Sequence, residues 1–203
     1  MLGKKGERVT AKLRLRRMAH KKKHPADLRI QTARMWLTPW RPADSVALRP
    51  IAQDLRVMKY ITGGKAWSNE QVREFIARQM RHSAWHGFCN WSLRRKPDGR
   101  VIGLCGLQPL TIGARREIEI GWWLAVNCWG RGLASEAART VMTAAFERYG
   151  LRRVVAVAMP ENRASRRVMR KIGMGYERET TRRGFEVVVY SSGAGPRELG
   201  WSR

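Results

Sequence analysis

The chain has little cysteine: three in 203 residues, Cys89, Cys105 and Cys128, an odd number with no Cys-x-x-Cys pair. That spacing argues against a disulfide framework and for a reducing compartment, so a cytoplasmic location is expected. No apolar run approaches the roughly 20 residues that span a bilayer, and no membrane partner is expected. The N-terminus is basic but has no apolar stretch after it, unlike a secretory signal. Metal ligands are also sparse. His82 and His86 stand four apart, on one face of a helix, but a zinc site needs further converging ligands, so no metal is expected. Acidic residues are scarce as well: 16 Asp and Glu against 41 Lys and Arg leave a net charge of +25.

Ten of those cations and the single acid Glu7 fall within residues 1–24. Residues 1–27 carry too few apolar side chains to fold alone, so they are expected to form a disordered basic arm. Such charge attracts polyanions, which makes contact with RNA or a ribosome through the arm one expectation and a merely solvated arm the other. Residues 28–192 are expected to form one domain, and the Gly/Pro-rich residues 193–203 a flexible tail.

Within the domain, periodicity sets the order of elements. The alternating segment around Arg34–Trp40 reads as a strand. Residues 43–54 have helical spacing, with Val46, Leu48, Ile51 and Leu55 as the apolar face. Ser68-Asn-Glu-Gln71 is a capping box opening a helix to about Trp85, with Val72, Phe75, Ile76 and Met80 inward. Phe88–Leu93, the turn Pro97-Asp98-Gly99 and Val101–Leu107 make a hairpin, and Glu117–Leu124 a third strand. Leu133–Tyr149 is a helix, Arg153–Met159 a buried strand, and Pro160-Glu161-Asn162 opens a helix that Gly173 ends. Residues 175–180 and 185–191 close with a hairpin. Strands alternating with helices in the second half predict an α/β (α+β) fold, a mixed sheet with helices on both faces.

The chemistry concentrates in Glu119–Ala138, read as strand, glycine-rich turn and helix start. At Trp129-Gly130-Arg131-Gly132-Leu133-Ala134 the glycines clear side chains from a helix N-terminus, where free N–H groups and the helix dipole favour an anion such as a diphosphate. The segment is neither of the common nucleotide loops. No Lys-Ser/Thr follows the glycines, and the turn lies past the middle of the chain rather than after a first strand. Glu117 and Glu119 share one face of their strand.

The stretch resembles the coenzyme A loop of the GNAT acetyltransferase superfamily. Trp129-Gly-Arg-Gly132 is similar to the version typical of the RimJ/RimL-like branch, which modifies ribosomal proteins. Arg41-Pro-Ala-Asp44, Val101-Ile-Gly103 with Gly106-Leu107, Asn162-Arg-Ala-Ser165 and Arg183-Gly-Phe185 resemble further motifs of that branch in order and spacing. The resemblance covers about residues 29–190. It implies a GNAT fold with a splayed sheet whose strand ends in a bulge before the loop. It also implies acetyl-CoA as cosubstrate and acetyl transfer to a primary amine by direct attack in a ternary complex. Under it Trp122, Trp123, Leu124, Trp129, Gly130, Arg131, Gly132, Leu133, Ala134 and Asn162 would hold the coenzyme. Glu119 would be the base and Ser165 a candidate acid. Many members place a tyrosine acid seven residues after this asparagine; here the position is Met169. The resemblance points to a protein N-terminus as acceptor, with small amines such as a polyamine or aminoglycoside as the alternative. The rival class is a non-catalytic GNAT-like module that binds RNA or a ribosome. A monomer or homodimer is expected.

Overall fold

The computed structural model describes residues 29–193. The arm expected over 1–27, and all but the first residue of the tail expected over 193–203, lie outside the described residues. Eight strands form one sheet: β1 (Ile30–Gln31), β2 (Met35–Thr38), β3 (Asn90–Arg95), β4 (Val101–Ile112), β5 (Arg115–Leu124), β6 (Val154–Ala158), β7 (Gly175–Arg182) and β8 (Phe185–Ser192). Their order in the sheet is β1-β2-β3-β4-β5-β6-β8-β7. Every pairing is antiparallel except β5 with β6. A parallel neighbour needs a crossover, and the helix α4 (Leu133–Glu147) supplies it.

The remaining helices are α1 (Ser45–Gln53), α2 (Leu55–Met58), α3 (Asn69–His86) and α5 (Arg163–Lys171). Helices cover both faces of the sheet. Leu107, Ile120 and Leu124 pack with Val141 and Met142 of α4 and Met169 of α5. Leu104 packs on the opposite face with Leu48 and Ile51 of α1 and with Val72, Phe75 and Ile76 of α3. The capping box forms: Gln71 N–H donates to Ser68 Oγ, and Ser68 N–H donates to Gln71 Oε1.

Several expected core positions are displaced. Val46 and Leu55 are exposed. The helix stops at Asp54, whose extended ψ of 113° breaks the register and whose carboxylate accepts the Arg56 N–H to start α2. Leu55 therefore no longer shares the face of Leu48 and Ile51. Met80 of α3 is also exposed, and the fully buried position beside it belongs to Gln79. A buried amide is tolerated there because its Oε1 accepts the Asn90 N–H at 3.0 Å. Strand β1, two residues long, was too short to leave a periodic signal.

Candidate active site

The sheet parts between β5 and β6. Their parallel ladder holds only at Glu119 opposite Val155, and beyond it Ile120–Leu124 run on beside β4 alone. The expected bulge is absent on the β4 side, where pairing is continuous from Ile112–Arg115 to Gly103–Leu124. The gap therefore comes from the divergence of β6. A cleft of about 290 Å³ occupies it. Trp67, Phe75 and Trp123 line it from one face of the sheet, and Trp122, Ser165 and Met169 from the other.

Strand geometry decides which main-chain groups face that gap. Ala125 N–H donates to Ile102 C=O, so by alternation Trp123 also turns its polar groups to β4. Trp122 and Leu124 turn theirs away from β4, toward β6 and the opening. Of the three backbones expected to meet a ligand, two are presented; Trp123 contributes its indole, packed edge-on against Trp67 at 5.3 Å. Gly121 sits between Glu119 and Trp123 on that face, and a Cβ there would meet nothing within 4 Å.

Glu119 is 6 % exposed and lines the cleft. Burial pushes its carboxyl above the usual range, opposed by Arg182, by the amide of Gln108 and by Arg183. Gln108 Nε2 donates to Glu119 Oε2 at 2.7 Å, and Asn90 Nδ2 donates to Gln108 Oε1 at 2.9 Å. The side-chain donations thus run from Asn90 through Gln108 to the carboxylate, while Gln79 accepts the Asn90 backbone N–H and holds that residue in place. None of Gln79, Asn90 or Gln108 was singled out from the sequence, because no local pattern joins α3, β3 and β4. Glu117, on the same face, is engaged elsewhere: both oxygens accept from Arg153 Nε at 3.3 and 3.2 Å. Its partner is Arg153, not the neighbouring Arg115 or Arg116.

The glycine loop lies beyond the cleft, at the start of α4. Gly130 and Gly132 have φ of 74° and 73°, the left-handed region that favours glycine. Gly132 caps α4 without any side-chain hydrogen bond, whereas α3 and α5 are capped by Ser68 and Asn162. The first N–H groups of α4 thus lack a side-chain acceptor. Trp129 ties the loop to the sheet: its indole N–H donates to Leu124 C=O at 2.8 Å. Leu133 is buried in the core, so only its main chain faces the loop. Arg34, at the head of β2, clamps the other side. Its N–H and Nε donate to Glu136 at 2.8 and 2.6 Å, and Nη1 donates to Arg131 C=O at 2.9 Å. Burial raises the Glu136 carboxyl, and hydrogen bonds from Thr32 and Arg34 more than offset this and hold it low. Glu136 is a brace for the loop and does not line the cleft.

On α5, Asn162 and Ser165 both line the cleft. Asn162 Oδ1 accepts the Ser165 N–H at 3.1 Å, which leaves the Asn162 NH₂ and the Ser165 hydroxyl for other partners. Met169 is buried there and has no proton to give. Tyr60, from the segment after α2, also lines the cleft, and no motif in the sequence marked it. His82 and His86 lie ring against ring at 5.4 Å. Among the described residues no group of three or more His, Cys, Asp or Glu could hold a metal, and no helix is long and apolar enough to cross a membrane. The three cysteines are buried and unpaired.

Comparison with known proteins agrees with this geometry. The family model for the acetyltransferase (GNAT) domain matches residues 34–175. Bacillus subtilis YkkB, a protein of uncharacterized function, is 34% identical over 137 residues, covering 68% of this chain and 78% of its own length. A GNAT-family acetyltransferase from Bacillus anthracis superposes with a TM-score of 0.69 at 26% identity, over 81% of this chain and 97% of that one. Mycobacterium smegmatis RimJ, solved with a CoA-disulfide, superposes with a TM-score of 0.71 at 23% identity, over 86% and 90%; at that identity the likeness is one of fold. The chain belongs to the GNAT acetyltransferase family. It is an acetyl-CoA-dependent acyltransferase of mixed α/β fold.

Proposed function

We propose that this enzyme acetylates a protein N-terminus by direct attack of the amine within a ternary complex. The observation that carries the reading is the opening between β5 and β6, which brings the buried Glu119, the Trp122 and Leu124 main chain and the head of α5 to one cleft. Acetyl-CoA supplies an activated thioester when bound. The uncapped amides at the start of α4 and the clear space at Gly130 suit its diphosphate, and the edge of β5 suits its pantetheine arm. The N–H groups of Trp122 and Leu124 would donate to the acetyl oxygen, a contribution often worth a few kcal/mol. Glu119, ionised, takes a proton from the ammonium of the acceptor, directly or through water. Ser165 would return a proton to the departing sulfur. No residue need form a covalent bond, because proximity in the cleft supplies much of the rate. The protein acceptor rests on the motifs shared with the RimJ/RimL-like branch, Trp129–Gly132 and Asn162–Ser165.

Calorimetric titration with acetyl-CoA should show one site of micromolar affinity. Absence of binding at high micromolar concentration would instead favour a non-catalytic, RNA-binding module. Gly121→Val should keep the fold, since its Cβ meets open space, while plugging the cleft and removing most turnover.

The loop clamp gives a second expected outcome. Arg34→Met should cost less than about 1 kcal/mol of stability, because its half-exposed ion pair is screened by solvent. It should weaken acetyl-CoA binding about tenfold by freeing the Arg131 carbonyl and the loop; equal affinities by calorimetry would show that the clamp does not organise the site.

A further inference from the structure

The outer end of the cleft is lined with cations that act on Glu119 at most through space and make no direct contact with it. Arg78 of α3 and Arg182 and Arg183 of the β7–β8 hairpin line it, against one carboxylate of the described residues, Glu119. Among the described residues, neither Arg182 nor Arg183 has a carboxylate within 4.0 Å, whereas Arg34, Arg94 and Arg153 are all in ion pairs. Apart from their through-space pull on Glu119, both guanidinium groups are therefore open to direct contact with an outside anion.

The hairpin backbone points the same way. Arg183 and Gly184 form its two-residue turn, with φ of 51° and 81°. A turn with both central residues at positive φ favours Asn-Gly or Asp-Gly. Arg183 is the one non-glycine residue at positive φ among those described. A long cation thus occupies a position where local preference asks for a short polar side chain, and such exceptions concentrate where the side chain itself is used. The neighbouring Phe185 ring packs over Gly63 across the mouth, which fixes the hairpin beside the cleft.

The two arginines also line a second cavity, about 420 Å³, between Pro109–Gly113 and the hairpin. They therefore stand between the place of the reacting amine at Glu119 and a groove with room for chain beyond it. We propose that the acceptor is a protein N-terminus with an acidic side chain within its first few residues, whose carboxylate meets Arg182 and Arg183 while the following residues run into this groove. A guanidinium pair suits a carboxylate by geometry as well as charge. Polyamine and aminoglycoside acceptors are disfavoured by the same three arginines. This inference rests on the N-terminal acetyltransferase reading above.

The test uses the full chain, acetyl-CoA and matched hexapeptides that differ only at positions 2 and 3: Asp or Glu, Asn or Gln, or Lys. Coenzyme A release gives kcat/KM for each. The acidic series should exceed the neutral by about tenfold or more and the basic by more again, the margin shrinking with added salt. In R182Q/R183N the acidic-to-neutral ratio should fall toward one. Asn suits the turn, so this variant should fold at least as well, and acetyl-CoA affinity measured alongside should stay unchanged. The ratio within each protein is insensitive to general loss of activity. Equal or better use of neutral or basic peptides overturns the proposal, as does an acidic preference that survives in the variant. Failure to acetylate any acidic peptide, in an enzyme that binds acetyl-CoA and acetylates a polyamine or aminoglycoside, overturns it as well. Failure to bind acetyl-CoA at all is a different result and removes the site reading beneath it.

Discussion

Glu119→Gln should lower kcat by about 10²–10⁴, the usual contribution of a positioned base, with acetyl-CoA affinity within about twofold of wild type. Among the described residues the carboxylate is the only acid lining the cleft, and a glutamine of the same shape keeps the hydrogen bond with Gln108 while removing the proton acceptor. The pH dependence separates this from a packing effect. Burial raises the Glu119 carboxyl, with Arg182, Gln108 and Arg183 pulling it down. The ionised base is lost as pH falls through that raised value, so the wild-type rate should fall on the acid side at higher pH than an ordinary glutamate would give. The variant should lack that limb. Stability runs with the opposite sign. A carboxyl whose folded value is raised stabilises the fold relatively below its unfolded value, and this is lost as pH rises through the folded value. The variant should therefore match or exceed wild-type Tm at pH 8. A kcat within threefold of wild type across the pH range would move the base elsewhere in the cleft.

Gly106→Ala should unfold at a Tm lower by roughly 10 °C, on the order of 3 kcal/mol for a domain of this size. Its φ is ordinary; the constraint is contact. A Cβ at Gly106 would stand 2.1 Å from the Cys89 carbonyl oxygen and 2.4 Å from the Asn90 Cα. Both are backbone, and Cys89 C=O is already held by the Leu107 N–H at 3.0 Å, so nothing flexible can yield. Relief requires pushing β3 from β4. That movement would draw Asn90 off Gln108 and loosen the amide chain on Glu119, so residual folded protein should also lose activity beyond its loss of stability. Gly103→Ala is expected to behave alike, since its Cβ would come within 2.2 Å of the Trp123 carbonyl oxygen. Thermal unfolding followed by circular dichroism decides both; a Tm within 2 °C of wild type would mean that the strands separate at little cost.

Much of this fold was legible along the chain because its signals are local. The Ser68–Gln71 box, the αL glycines at 130, 132 and 173, the β-branched run at 154–157 and the two-residue period of β5 each depend on near neighbours. The glycine loop was legible for the same reason, since an uncapped helix start after two glycines is a property of six consecutive residues. Elements failed where tertiary contacts overruled the pattern. Met80 fits a helical stripe as well as Gln79 does, yet the amide is buried because the Asn90 N–H needs an acceptor. Leu55 fits the stripe of α1 but Asp54 ends the helix first.

The sequence by itself determined the alternation of strands and helices, the loop at 129–134, the carboxylates at 117 and 119 and the absence of a tyrosine at 169. The folded structure added what each carboxylate faces: Glu117 is held by Arg153, while Glu119, the base already preferred from the sequence, lines the cleft. It also decided which of the Trp122–Leu124 amides face the opening, that Arg34 and Glu136 brace the loop from 102 residues apart in sequence, and that Arg182 and Arg183 stand at the mouth. The reason is physical. Propensity, capping and period act within a few residues, whereas desolvation, ion pairing and strand separation depend on groups that meet only when the sheet is assembled.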